Sequence, residues 1–243
     1  MFKIFKSNTV KLDCYTCDKK IIELQPLQTS KNNPSWWSKL KPMYKVFQSR
    51  TGINVPTPTI KACPGIVDYI RRPILIKMWS DIIFRVMPDG RIHLSEPLHT
   101  IRQGVAHVHD KEQHGDTIYK NRTVVKLICP WHIVANKPIE MLCADPHYMT
   151  EDLRQYGIEV SPGILSLYDQ HTLNVFLTFP IKEEEYEVVI KYGTPLMGLF
   201  PLTEKKIEIE MHHTDRETWE DITNMFPPTF LGRYHARKRA LKN

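Results

Sequence analysis

From Ile74 to Met211 the apolar residues come in short runs rich in Ile, Val, Leu and Phe, cut by Pro, Gly and Asx residues. Runs of this length suit strands better than helices, because alternate side chains on a strand face opposite sides. The longest is ILIKMWSDIIFRVM (74–87); Asp89-Gly90 follows it and RIHLSE (91–96) returns, which makes the clearest hairpin of the chain. TVVKLIC (123–129) reads as a strand buried on both faces, and IVANKPIEMLC (133–143) as strand, Pro-marked break, strand. ILSLYD (164–169) and LNVFLTFPI (173–181) flank Gln170-His171 as a second hairpin. YEVVIKYG (186–193), PLMGLFPL (195–202) and KIEIEMH (206–212) complete the pattern, and residues 9–25 add one or two strands. About nine strands with two or three short helices give a mainly β fold, a two-sheet sandwich or a barrel-like body of jelly-roll or β-clip type.

The helices are placed by their end signals. CPGIVDYIRR (63–72) carries Pro64 in its first turn and would bury Ile66, Val67 and Ile70. Residues 149–157 suit another short helix. Thr214 and Glu217 have capping-box spacing, Trp219, Ile222 and Met225 or Phe226 follow at helical intervals, and Pro227-Pro228 stop the run. Eighteen prolines against ten glycines favour loop-rich β structure with few tight primed turns. Five of those prolines fall in residues 26–60 (Pro26, Pro34, Pro42, Pro56, Pro58), which read as an ordered irregular segment pinned by Trp36 and Trp37.

A chain of 243 residues with 42% hydrophobic residues supports one large core, so residues 1–231 are expected to form a single domain and 232–243 a basic tail. The charge is polarised. Residues 1–80 hold 14 Lys/Arg against 4 Asp/Glu, and residues 81–231 hold 14 against 23. The tail holds five basic residues (Arg233, Arg237, Lys238, Arg239 and Lys242) and no acid. Such poles can lie against each other within one molecule or steer docking between subunits. No stretch is long and apolar enough for a membrane span, and MFKIFKSNTVKLD is too broken for a signal peptide, so a cytosolic site of synthesis is expected. Five cysteines, an odd number, fit a reducing compartment better than a disulfide scaffold.

Four motifs in order carry a resemblance. PLQTSKNNPSWWSKLKP contains a Pro-x-Trp-aromatic-x-Lys-Leu core, and TIKACPGIVDYIRRPILIKMWSD follows it. Then come HDKEQHGD with VVKLICPWHIVANKPIEMLC, and the closing strand VVIKYGTPLMGLFPL. Over roughly residues 20–205 this series resembles a protein family of unknown function encoded by tailed phages, especially marine cyanophages and their relatives. The resemblance implies a phage origin, the host cytoplasm or the virion as location, and other phage structural proteins or further copies of the chain as partners. It implies no reaction. Where such proteins usually carry Gln in the closing block, this chain has Met197 and Gly198.

Several constellations bear on chemistry. His107 and His109 are two apart, so on a strand both imidazoles would share one face, with His114 nearby; a cupin-like metal site and a polar surface loop are both compatible with GVAHVHDKEQHGD. Cys14-x-x-Cys17 with Cys129-x-x-His132 could make a Cys₃His zinc site or leave separate thiols. The closing strands have the rhythm of trimeric dUTPase-like folds without that class's Arg-Ser-Gly motif. No Walker loop, nucleophile elbow, dinucleotide fingerprint or His-Glu-x-x-His is present. The expectation is therefore a non-enzymatic phage protein with no metal and no cofactor. It would act in the virion or its assembly by docking through Trp36, Trp37 and the tail cations Arg233, Arg237, Lys238 and Arg239. A small metal-dependent, cupin-like enzyme and nucleic-acid binding through the basic tail are the alternatives.

Overall fold

A computed structural model describes residues 8–28, 33–95, 106–109, 113, 119–168 and 172–219. Strands make up 49% and helices 15%, so the mainly β expectation holds; the strands form four sheets in a sandwich-like arrangement, with no closed barrel among the described residues.

One layer is a six-stranded sheet. Its spine is β8 (Arg122–Ala135), paired along one side with β12 (Thr172–Pro180), which in turn pairs β10 (Glu159–Val160). The other side of β8 is shared by β7 (Ala106–His109) and β1 (Thr9–Thr16). β1 pairs in parallel with β15 (Lys206–His213), which brings together segments almost two hundred residues apart. The opposite layer holds two sheets. One runs β11 (Gly163–Ser166), β9 (Glu140–Ala144), β14 (Pro195–Pro201) and β4 (Ile74–Lys77). The other runs β13 (Tyr186–Ile190), β5 (Ile82–Val86) and β6 (Ile92–Ser95). The layers meet in one core. Val10, Leu12, Leu127, Val175 and Phe179 belong to the large sheet; Ile76, Ile82, Phe84, Met141, Ile190 and Leu199 belong to the facing sheets. Phe84 and Phe179 touch across the middle with ring centroids 4.9 Å apart.

The predicted hairpin at Asp89-Gly90 forms, β5 pairing β6, with Gly90 at φ 86, a conformation an L side chain would strain. Three expectations are corrected. The run 74–87 is two strands in different sheets, divided at residues 78–81, because one straight strand could not serve both sheets. The pair 164–169 and 173–181 is not a hairpin: β11 joins β9 while β12 joins β8, and Gln170-His171 lie outside the described residues. Conversely, β8 runs unbroken through Pro130. It tolerates a residue without an N–H because Pro130 falls in a gap of both ladders, between the β7 and β1 pairings on one side and at the register shift between Thr172 and Asn174 on the other.

Helix α1 (Lys19–Leu24) begins where the Asp18 side chain accepts from the Lys20 N–H, at 2.9 Å. α2 (Pro64–Arg71) forms as expected and buries Ile70, with Ile66 and Val67 partly covered. α3 (Glu151–Arg154) is a single turn within the expected 149–157 segment. The helix expected from Thr214 is described only to Trp219, and its cap is Asp215, which accepts from the Thr218 N–H at 2.8 Å. Ile222, Met225, Phe226, Pro227 and Pro228 lie outside the described residues.

Residues 26–60 are more regular than expected. β2 (Met43–Gln48) and β3 (Ile53–Pro58) form a two-stranded ribbon closed by residues 49–52, with Gly52 at φ 67. Pro56 and Pro58 fit because they are two apart on a strand with one unpaired side. Their missing N–H groups both point to that side, while Thr59 N–H still reaches Pro42 O at 3.0 Å.

Candidate functional site

Three places concentrate side chains with something to offer. The first is an aromatic pad over the outside of the β11-β9-β14-β4 sheet. Consecutive turns at 34–40 bury Trp37 to 8% exposure and leave Trp36 partly covered. Trp36 Nε1 donates to Tyr148 O at 3.1 Å, and its ring meets Trp37 at 5.5 Å and Tyr148 at 6.3 Å. Tyr148 abuts Tyr69 of α2, and Tyr69 lies 4.7 Å from Phe200 of β14. Gly198 makes room for this: a Cβ there would come within 2.6 Å of the Phe200 ring. Lys61 Nζ stands 5.6 Å from the Trp37 ring centroid.

Beside the pad lies a cleft of about 510 Å³ lined by Ile66, Tyr69, Asp145, His147, Tyr148 and Val160. Two of its polar residues, Tyr69 and Asp145, are already engaged. Tyr69 donates to Asp145 O, and Thr150 Oγ1 donates to Asp145 Oδ1 at 2.6 Å. His147 Nδ1 is 3.9 Å from Asp145 Oδ2, beyond a hydrogen bond. Burial raises the Tyr69 hydroxyl above its ordinary pKa, so it stays protonated and donating. The cleft therefore offers aromatic walls without a nucleophile and base in contact.

The second place is the outward face of the β1–β15 pair. Asp13, Glu210 and His212 bring their ligand atoms within 4.8 Å of one another, among the described residues the single group of this kind. A cation already sits there: Lys11 Nζ bridges Glu210 Oε2 and Asp13 Oδ1, the latter at 3.2 Å. His212 Nε2 lies 2.9 Å from Asp13 Oδ1, and its ring stacks on Tyr15 at 4.8 Å. Burial pushes the Asp13 pKa up, but the hydrogen bonds from His212 and Lys11 outweigh it and hold the group below its ordinary 3.8. Hydrogen bonds to Glu210 and then to Asp13 raise Lys11. The donor set is that of a divalent-metal site, but a lysine fills its centre.

The ribbon is the third. All six residues of β2 are exposed, as are five of six in β3, and among the described residues its extensive contacts run only between its own two strands. Met43, Tyr44, Val46, Phe47 and Ile53 are between 46% and 63% exposed. The register sorts its side chains. Tyr44, Val46, Gln48, Ile53, Val55 and Thr57 share one face, which carries no charge; Met43, Lys45, Phe47, Asn54, Pro56 and Pro58 share the other. Residues 25–67 contain Lys31, Lys39, Lys41, Lys45, Arg50 and Lys61 and no acid. An isolated two-stranded ribbon is marginal in water.

The residues singled out in sequence fall as follows. Trp36 and Trp37 are brought together in the pad, Trp37 inward and Trp36 at its rim. Arg233, Arg237, Lys238 and Arg239 lie outside the described residues, as does His114. His107 and His109 stand on β7, a strand where a polar loop was the other reading, with His107 exposed and His109 against Phe176 at 5.5 Å. Cys14, Cys17, Cys129 and His132 do not gather into a ligand group among the described residues. Cys14 and Cys129 are buried core thiols, Cys129 pushed up to about 12, and Cys17 is exposed. The Lys11–Asp13–Glu210–His212 network was not anticipated. Alternation in TVKLDCYT and KIEIEMHH shows which residues face outward, but not that the two strands are neighbours. The ribbon's signal was present as MYKVFQ and INVPTP, set aside there because of the prolines.

The chain matches no known family model, and no curated protein is significantly similar to it in sequence.

Proposed function

We propose that this chain is a non-enzymatic docking protein of a tailed phage, acting in the virion or its assembly by presenting the 43–58 ribbon to a partner. One observation carries the reading: a ribbon with five large apolar side chains exposed, and, among the described residues, no helix or strand packed extensively over it. Exposed apolar surface of this kind marks interaction sites in soluble proteins. The pad of Trp36, Trp37 and Lys61 supports the segment from which the ribbon springs, so the two tryptophans hold the docking element in place. The phage setting rests on the motif resemblance. A metal-dependent enzyme would need imidazoles and carboxylates converging on an open position; the group that converges among the described residues is filled by Lys11.

Quantitative mass spectrometry of purified virions tests this. The chain should be present at tens of copies or more, and replacing residues 43–58 by a short turn should remove it from particles. Abundance in infected cells with absence from particles overturns the reading.

A further inference from the structure

The cleft beside the aromatic pad is walled by rings set nearly at right angles. Tyr69 meets Tyr148 with ring centroids 5.8 Å apart and planes at 83°, and His147 meets Tyr148 at 5.2 Å and 88°. All three line the same space, together with Ile66, Val160 and Pro162. Two perpendicular rings bound a corner whose sides are ring faces. The corner is held from outside: the Tyr69 hydroxyl donates to Asp145 O, and Tyr148 O accepts from Trp36 Nε1 at 3.1 Å. The walls are therefore in place before a ligand arrives, which lowers the ordering cost of binding. One carboxylate completes the lining. The Asp145 side chain is 29% exposed and commits Oδ1 to Thr150 Oγ1. Among the described residues no hydrogen bond reaches its Oδ2, no lysine or arginine pairs with it, and its one ionic neighbour is His147 Nδ1 at 3.9 Å.

We propose that this cleft binds an organic cation, an ammonium or guanidinium group on an aliphatic stem. Asp145 Oδ2 is its counter-ion, and the rings of Tyr69, Tyr148 and His147 enclose it. Ring faces carry negative potential and attract cations, most strongly where water is excluded. An anion would meet those faces and the carboxylate together. A wholly apolar ligand would strip water from Asp145 Oδ2 and give nothing back. Ile66, Val160 and Pro162 suit the stem, and about 510 Å³ is room for a small organic molecule or a long side chain. A free alkylammonium and the lysine or arginine side chain of a partner present the same group. The cleft shares no residue with the ribbon, so the proposal stands apart from the docking reading.

NMR titration of the full-length protein with tetramethylammonium chloride tests this, with sodium chloride as the ionic reference and tert-butanol as a neutral molecule of similar shape. The ring signals of Tyr69, Tyr148 and His147 should shift saturably with the cation, and tert-butanol should bind at least about fivefold more weakly. Asp145→Asn keeps an acceptor for Thr150 and should weaken the cation by about tenfold while leaving tert-butanol unchanged. Tyr148→Leu keeps the backbone oxygen that holds Trp36 and should weaken it by about fivefold, which gives a second reading if the Asn variant fails to fold. Capped lysine and arginine amides are titrated beside choline. Tighter amides assign the cation to a protein side chain and tighter choline to a small molecule; either supports the proposal. No saturable shift up to about 100 mM of any of these cations overturns it. So does equal binding of tert-butanol, or cation affinity unchanged in folded Asp145→Asn and Tyr148→Leu variants.

Discussion

If the ribbon serves a partner and not the fold, the body should not notice its removal. Thr59 N–H lies 3.0 Å from Pro42 O, so the two ends are already bridged and Met43–Pro58 can be replaced by Asn-Gly, a two-residue turn. The excised side chains are almost all exposed, and among the described residues the ribbon's extensive contacts run only between its own two strands, so the expected change in stability is close to zero. Trp37→Ala is the contrast: it empties a position 8% exposed, and loss of such a large aromatic costs about 3–5 kcal/mol. For a chain of this size each kcal/mol moves the midpoint by about 2–4 °C, so Trp37→Ala should lower Tm by roughly 6–20 °C. The ribbon deletion should move it by no more than about 2 °C. Calorimetry at low protein concentration is the assay, since any association would stabilise wild type by mass action and mimic a folding contribution. A deletion mutant that melts more than about 5 °C below dilute wild type would refute the reasoning, because the ribbon would then be part of the folded body.

Three further outcomes are expected. Asp13 is held below 3.8 in the fold, so its stabilising share is complete above that value and is lost as pH falls through the depressed one; Asp13→Asn should flatten acid unfolding below about pH 4, followed by circular dichroism. Lys11→Met should leave Asp13, Glu210 and His212 without their resident cation, and isothermal titration should then detect Zn²⁺ binding that wild type lacks. Gly198→Ala should displace the Phe200 ring, which a new Cβ would approach to 2.6 Å, and cost about 1–3 kcal/mol in urea unfolding.

What the sequence makes legible follows from how far apart the contacting residues are. The β5–β6 hairpin is local, and Asp89-Gly90 announces it. α2 is equally local, with Pro64 at its start. The assignment of strands to sheets is not local. ILSLYD and LNVFLTFPI look like neighbours, but their partners are β9 and β8, chosen by layer packing that no short window contains. The same holds for β1 beside β15, and hence for the Lys11–Asp13–Glu210–His212 network. Proline misled in two places for one reason. Pro130, Pro56 and Pro58 are penalised only where an N–H is needed by a ladder, and all three sit where none is.

The prolines of β3 also explain how a chain can carry such a ribbon without aggregating. An exposed apolar strand invites pairing with any other strand along its free edge. Here the outer side of β3 lacks donors at Pro56 and Pro58, and Lys45 interrupts the face that holds Met43 and Phe47. What stays open is narrow: the uncharged Tyr44–Val46–Ile53 face, with Lys45 on the opposite one. Indiscriminate stickiness would need none of this arrangement.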